Sequence, residues 1–183
     1  MGPSGAGKDS VMNRARALLA PETPVFFAHR YITRPAEVGG ENHIALTPAE
    51  FELRREHGLF AFDWGAHGNR YGIGSEIEAW RKSGLTVVVS GSREHFVKAN
   101  GIDGDTHPVV ITASAGRLAE RLASRGREDT GSAAKRLGRS EAYAVTHPRL
   151  TTIVNDGALE EAARAFVTLL ARLQYSPGVH RRA

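Results

Sequence analysis

Near its start the chain carries Gly2-Pro3-Ser4-Gly5-Ala6-Gly7-Lys8, a fit to the pattern G-x-x-x-x-G-K. Glycines at these spacings let backbone N–H groups wrap an anion, and a helix beginning at the last glycine adds the partial positive charge of its N-terminus. Lys8 then reaches the outer phosphate oxygens of a nucleotide. A helical pattern through Val11, Ala15, Leu18 and Leu19 follows as required. Asp9 stands where Ser or Thr usually gives a hydroxyl to Mg²⁺, and Ser10 comes one step later. Two roles suit Asp9: a hard oxygen ligand for Mg²⁺, direct or through water, or an acidic partner for the helix dipole. Residues 2–10, each of Gly2, Pro3, Ser4, Gly5, Ala6, Gly7, Lys8, Asp9 and Ser10, are thus the expected phosphate site. Such a loop ordinarily joins a buried strand to a helix, yet only Met1 precedes it. The first strand is expected to be missing, through a late start of the reading frame or a sheet without it.

The cations are almost all arginine. Of 24 Lys and Arg residues only Lys8, Lys82, Lys98 and Lys135 are lysines, and the planar guanidinium grips phosphate in bidentate fashion. A GC-rich genome accounts for the same bias, so placement decides. Arg30, Arg34, Arg70 and Arg93 fall in segments expected at the C-terminal edge of a sheet, where α/β proteins bind ligands. Between residues 117 and 139 lie seven cations and three acids, an excess equal to the +4 formal charge of the whole chain. Arg117, Arg121 and Arg125 there repeat at helical spacing, and Arg127 follows Gly126. The excess is too small for a general nucleic-acid surface.

The elements that must hold these groups are readable. Val25 to Ala28, Leu85 to Val89, Val109 to Ile111 and Thr151 to Val154 are continuous β-rich runs suited to strands buried on both faces. Thr47-Pro48-Ala49-Glu50 has capping-box spacing for a helix stopped by Gly58, and a second helix starts at Ser75 and ends at Gly84. Ser114 caps a third, and Leu159, Ala163, Phe166, Leu170 and Leu173 form the core stripe of the last. Alternating strands and helices predict an α/β three-layer sandwich with a mainly parallel sheet. With 183 residues, 41% hydrophobic and 24% charged, the chain is read as a single domain over 1–175 with a frayed tail over 176–183. It has no cysteine, which excludes a disulfide scaffold, a thiolate metal site and a cysteine nucleophile. No apolar run reaches membrane length and no signal segment opens the chain, so a cytoplasmic protein without membrane partners is expected.

Three further segments carry a resemblance: His29-Arg30-Tyr31-Ile32-Thr33-Arg34-Pro35, Gly39 to Leu46, and Gly68-Asn69-Arg70-Tyr71-Gly72-Ile73-Gly74. With the phosphate loop they resemble the guanylate kinase branch of the nucleoside-monophosphate-kinase-like P-loop enzymes, with Arg34 and Tyr71 at acceptor-phosphate positions. The guanine-reading Glu of that branch is replaced by Phe62, the later acids by Ser90 and Ser92, and the Asp-Tyr pair by Asn42-His43. A site without acceptors for guanine N–H groups loses that selectivity. Gly-Pro-Ser-Gly-x-Gly-Lys-Asp-Ser at Gly2 to Ser10, Glu41 to Leu46, Gly91-Ser92-Arg93, Arg125-Gly126-Arg127-Glu128 and Asn155-Asp156-Gly157 are instead similar to the ribose 1,5-bisphosphate phosphokinase family of phosphonate breakdown. That resemblance implies a P-loop kinase that uses ATP and Mg²⁺ to convert ribose 1,5-bisphosphate to 5-phosphoribosyl 1-diphosphate. It implies an acceptor segment over about 29–75 and a lid over about 117–139, with Lys8, Arg121, Arg125 and Arg127 catalytic. Arg30, Arg34, His43, Arg70, Tyr71, Ser92 and Arg93 are the implied sugar contacts, Asp9 the Mg²⁺ ligand, and Asn155-Asp156-Gly157 lies near the adenine. For His43 and Tyr71 structural roles stand beside these. The partner is a small sugar bisphosphate; a homodimer is compatible with the sequence. A nucleotide kinase and a non-catalytic guanylate-kinase-like binding module are the alternatives.

Overall fold

The computed structural model describes residues 1–3, 5–36, 43–99, 105–124 and 144–174. Ser4, Glu41, Asn42, Arg125 and Arg127 of the expected lid, and the tail expected from 176 lie outside the described residues. In chain order the elements are α1 (Lys8–Leu18), β1 (Val25–Phe27), β2 (Arg30–Ile32), β3 (Ile44–Ala45), α2 (Pro48–Glu56), β4 (Phe60–Ala66), β5 (Asn69–Gly74), α3 (Glu76–Lys82), β6 (Thr86–Val88), α4 (Arg93–Lys98), β7 (Val109–Thr112), α5 (Ala115–Ser124), β8 (Thr151–Val154) and α6 (Leu159–Gln174). They divide into two compact units, Met1–Leu18 with Gly91–Val167, and Leu19–Ser90 with Thr168–Ala183.

In the first unit β7 and β8 pair in parallel, Val109 opposite Thr151 and Thr112 opposite Val154. Met1 adds to the other edge of β7: its amino group donates to Val109 O at 2.9 Å and Ile111 N donates to Met1 O at 2.8 Å. The one residue ahead of the loop therefore makes the two bonds of a parallel ladder. The core of this unit is Val11 and Ala15 of α1, Ile111, Leu118, Ile153 and the buried Ala162, Ala163 and Phe166 of α6. The expected stripe on α6 starts later than Leu159, which is exposed.

The second unit holds the parallel pair β1 and β6, with Val25 opposite Thr86 and Phe27 opposite Val88. It also holds a four-stranded sheet in the order β3-β2-β5-β4. There β5 runs antiparallel to both β2 and β4, a mixed sheet that the apolar runs did not predict. Its strands are interleaved with Arg, Asp and Gly, so they lack the β-rich continuity of the parallel pairs. One face carries the cluster Ala28, Ile32, Trp64, Tyr71, Ile73 and Ile77, against which Phe62 and Trp80 pack. Helix α2 begins as expected: Thr47 Oγ1 accepts from Glu50 N at 3.1 Å, and Pro48 occupies the first helical position. Ser75 sits at the cap position of α3 but has helical backbone and makes no side-chain cap bond. Among the described residues no helix is long and apolar enough to cross a membrane.

Candidate active site

The phosphate loop is built in the first unit. Gly5 (φ 84°) and Gly7 (φ 77°) take left-handed conformations that turn the chain from Met1 into α1, and Ala6 N donates to Pro3 O across the bend. Val11 N closes the first helical bond on Gly7 O at 2.9 Å. The N–H groups before Val11 have no partner within the helix, which leaves them available to an anion. Lys8 Nζ rests on Asp9 Oδ2 at 3.0 Å, both side chains partly exposed. Lys8 is therefore the neighbour of the residue that replaces the usual hydroxyl.

Behind the loop lies Asn155, just past β8 and 3% exposed. Its Nδ2 donates to Ala6 O at 2.8 Å, and its backbone O accepts from Arg121 Nη2 at 2.9 Å. A Cβ on Gly7 would come 2.7 Å from that Nδ2, so both the close approach and the φ call for glycine. The next residue, Asp156, accepts from Ser114 N at 2.6 Å through Oδ1 and so serves the start of α5. Of the expected lid arginines, Arg121 is thus joined to the loop through Asn155, while Arg117 turns to Glu120. Ser92 caps α4, its Oγ accepting from His95 N at 3.4 Å. Arg93, next to it, is about half-buried, and burial lowers its guanidinium pKa. A partly dehydrated guanidinium gains more from a phosphate than a hydrated one.

Of the expected sugar contacts, Arg30, Arg34, His43, Arg70 and Tyr71 belong to the second unit, and those in the mixed sheet divide between its two faces. Arg30 is 9% exposed and its guanidinium lies over the Tyr71 ring, 5.2 Å from the centroid. On the same face Trp64 stacks on Tyr71 at 5.5 Å, the two rings nearly parallel. Arg70 faces the opposite way. It pairs with Asp63 at 2.7 Å and Glu52 at 3.7 Å and sits over Phe51 of α2. The sheet therefore brings Arg30 and Tyr71 together and separates Arg70 from both. Arg34 follows Thr33, whose Oγ1 accepts from Arg70 N at 2.8 Å. Its carbonyl lies 3.0 Å from His43 Nε2, and a carbonyl there requires Nε2 to carry the proton. His43 is 8% exposed, so its ring ties the backbone that presents Arg34. Phe62 packs on the apolar cluster and offers no hydrogen-bond acceptor.

Sequence reasoning passed over Trp64 and the amide of Asn155. The period-2 spacing of Phe62 and Trp64 is a signal that would have found the former, whereas a register shift turns Phe60 to the other face, against Phe51. Nothing local marks the latter, because its partner Ala6 is 149 residues away in sequence.

No family model matches the chain. Among solved structures, the guanylate kinase of Anaplasma phagocytophilum superposes with a TM-score of 0.67, at 20% identity, over 96% of this chain and 85% of that one. The fold is accordingly that of the guanylate kinase branch of P-loop proteins, α/β with parallel strand pairs. Among curated proteins, the ribose 1,5-bisphosphate phosphokinase PhnN of Desulfomicrobium baculatum is 52% identical over 170 residues, 93% of this chain and 91% of that protein. Its namesake from Dickeya zeae is 48% identical over 93% of this chain and 90% of its own length. The one from Burkholderia pseudomallei is 49% identical over 96% and 95%. At such identity along nearly the whole of both chains, this chain belongs to the ribose 1,5-bisphosphate phosphokinase family, a family of kinases.

Proposed function

We infer that the protein transfers the γ-phosphoryl group of ATP to ribose 1,5-bisphosphate, giving 5-phosphoribosyl 1-diphosphate and ADP, in phosphonate degradation. Membership of the family carries this reading. An oxygen of the C1 phosphate bonds to the γ-phosphorus as the bond from that phosphorus to the β,γ-bridging oxygen breaks, and the electron pair leaves with ADP. The attacking oxygen is anionic at neutral pH, so no general base is needed. Alignment and neutralisation of charge around the transferring group do the catalysis. In our reading Lys8 and Arg121, with Arg125 and Arg127 of the lid, supply that charge. Residues 2–10 hold the nucleotide. Arg30, Arg34, Ser92 and Arg93 bind the sugar phosphates, Tyr71 shapes their site, and His43 presents Arg34. Arg70 already has two carboxylate partners and is the weakest of the proposed contacts. We read both units as parts of one kinase domain over 1–175, acting in the cytoplasm on small molecules.

A magnesium ion fits the donors present. Among the described residues no cluster of three or more His, Asp or Glu side chains occurs, and Mg²⁺ at kinase sites is held by one or two carboxylates, substrate phosphates and water. Asp9, accessible and beside Lys8, is the carboxylate we assign to it; the ion would offset charge on the β- and γ-phosphates.

The test incubates the protein with ATP, Mg²⁺ and either ribose 1,5-bisphosphate or GMP, with products followed by phosphorus NMR. A diphosphate at C1 from the sugar alone is expected. Turnover of GMP alone rejects the reading in favour of a nucleotide kinase, and no turnover of either by folded protein rejects it in favour of a binding module.

A further inference from the structure

We propose that Asn155 is a positioning residue that clasps the phosphate loop to helix α5, holding the loop's N–H groups and Arg121 in one fixed relation. The inference rests on the phosphotransferase reading for the meaning of Arg121, but its geometry stands alone. A loop that turns its amides toward an anion turns carbonyls away from it. Those carbonyls then need donors from behind, since a buried carbonyl left without one is costly. Ala6 O has such a donor in Asn155 Nδ2 at 2.8 Å.

The same residue is tied on its other sides. Asn155 N donates to Thr112 O at the end of β7, and Asn155 O receives Arg121. Asp156 holds the N–H of Ser114, at the first turn of α5. The helix is therefore gripped at two points, seven residues and roughly 10 Å apart, by two consecutive residues whose neighbour in space is the loop. The amide orientation follows from its contacts. A flipped amide would set Oδ1 against Ala6 O, two acceptors facing each other. Oδ1 itself is buried and has no partner among the described residues, so the side chain is retained for its N–H. Gly7 completes the arrangement, because any Cβ there meets Nδ2.

A loop fixed in this way presents its donors to phosphate without rearranging, and the loss should fall on the nucleotide rather than on the sugar. Binding of a non-hydrolysable ATP analogue is measured by calorimetry without sugar, alongside steady-state kinetics in both substrates, for Asn155→Ala and Asn155→Asp. The expected result is analogue binding weaker by about tenfold or more in both, with the larger loss for the carboxylate, while KM for ribose 1,5-bisphosphate stays within about twofold. A double-mutant cycle of Asn155→Ala with Arg121→Ala should be non-additive in kcat. Unchanged analogue binding, or equal increases in both KM values, overturns the proposal. Should the variants fail to fold, the wild-type protein decides. The Asn155 side-chain amide protons should exchange slowly, as a buried clasp requires, and exchange at the rate of an exposed amide overturns it. A wild-type protein that binds the analogue but does not phosphorylate the sugar rejects the assigned reaction and leaves the clasp standing.

Discussion

Arg30 and Tyr71 lie on one face of the mixed sheet, the guanidinium 5.2 Å above the ring, with the Trp64 indole stacked at 5.5 Å on the same tyrosine. A buried guanidinium packed on a ring has its planar fork held in one orientation, so an anion meets it at a fixed place. Replacing Arg30 by Met preserves the apolar stem and removes the charge. KM for ribose 1,5-bisphosphate is expected to rise by about tenfold or more, with KM for ATP little changed; equal values for variant and wild type would discard Arg30 as a substrate contact.

The pair Lys8 and Asp9 separates two contributions. Lys8→Met should lower kcat by about a hundredfold to a thousandfold, the usual effect of deleting one preorganised charge donor. Asp9→Asn should instead weaken the apparent affinity for Mg²⁺, read from the rate against metal concentration at saturating ATP. An unaltered Mg²⁺ dependence returns Asp9 to a partner of Lys8 and the helix dipole.

Phe62, which the resemblance to guanylate kinases sets in place of a base-reading Glu, packs against the cluster around Ile32 and Ile73. Phe62→Glu would place a carboxylate on that apolar surface, so a loss of several kcal/mol of stability is expected without any gain of GMP turnover. Thermal unfolding and a GMP assay check both halves, and GMP phosphorylation by the variant contradicts this account of specificity.

Thr47 offers a purely structural control. Its hydroxyl caps α2, and Thr47→Ala should cost about 1 kcal/mol of stability while leaving both KM values as they were. Denaturant unfolding measures the first, steady-state kinetics the second.

His107 gives a pH dependence. Burial lowers its pKa, and the charges of Arg149 and His147 lower it further, while its Nε2 lies 2.9 Å from Thr151 Oγ1 at the start of β8. A pKa lower in the folded state means that folding favours the neutral ring. Its stabilising contribution is complete above the ordinary imidazole range and is lost as pH falls through the lowered folded value. His107→Gln should therefore flatten the acid side of the curve of melting temperature against pH; an acid limb of unchanged slope would assign the effect to other groups.

The four strands of the parallel pairs were legible in Val25 to Phe27, Thr86 to Val88, Val109 to Ile111 and Thr151 to Val154 because continuous β-rich runs have few other homes, but their expected burial on both faces fails at the exposed Phe26 and Val154. The cap at Thr47 and the stops at Gly58 and Gly84 were legible because their chemistry is local. The mixed sheet was not, since Arg30, Asp63, Gly72 and Gly74 interrupt its strands with residues that do not favour them, and its pairing is decided by partners far away in sequence. At the site, the residues of the loop could be named from spacing alone. Whether Arg70 shares a face with Tyr71, and what stands behind Ala6, depended on strand alternation and on a contact between chain ends that no window of sequence contains.

The hairpin joining β4 to β5 carries a consequence for the site. Its turn is only His67 and Gly68, both with positive φ, 51° and 75°, the geometry that matches the twist of paired strands. Because successive residues of β5 point to opposite faces, inserting or deleting one residue in that turn would exchange Arg70 and Tyr71: the tyrosine would move beneath α2 and the ion-paired arginine into the place beside Arg30. Turn length here therefore decides which of the two side chains stands beside Arg30.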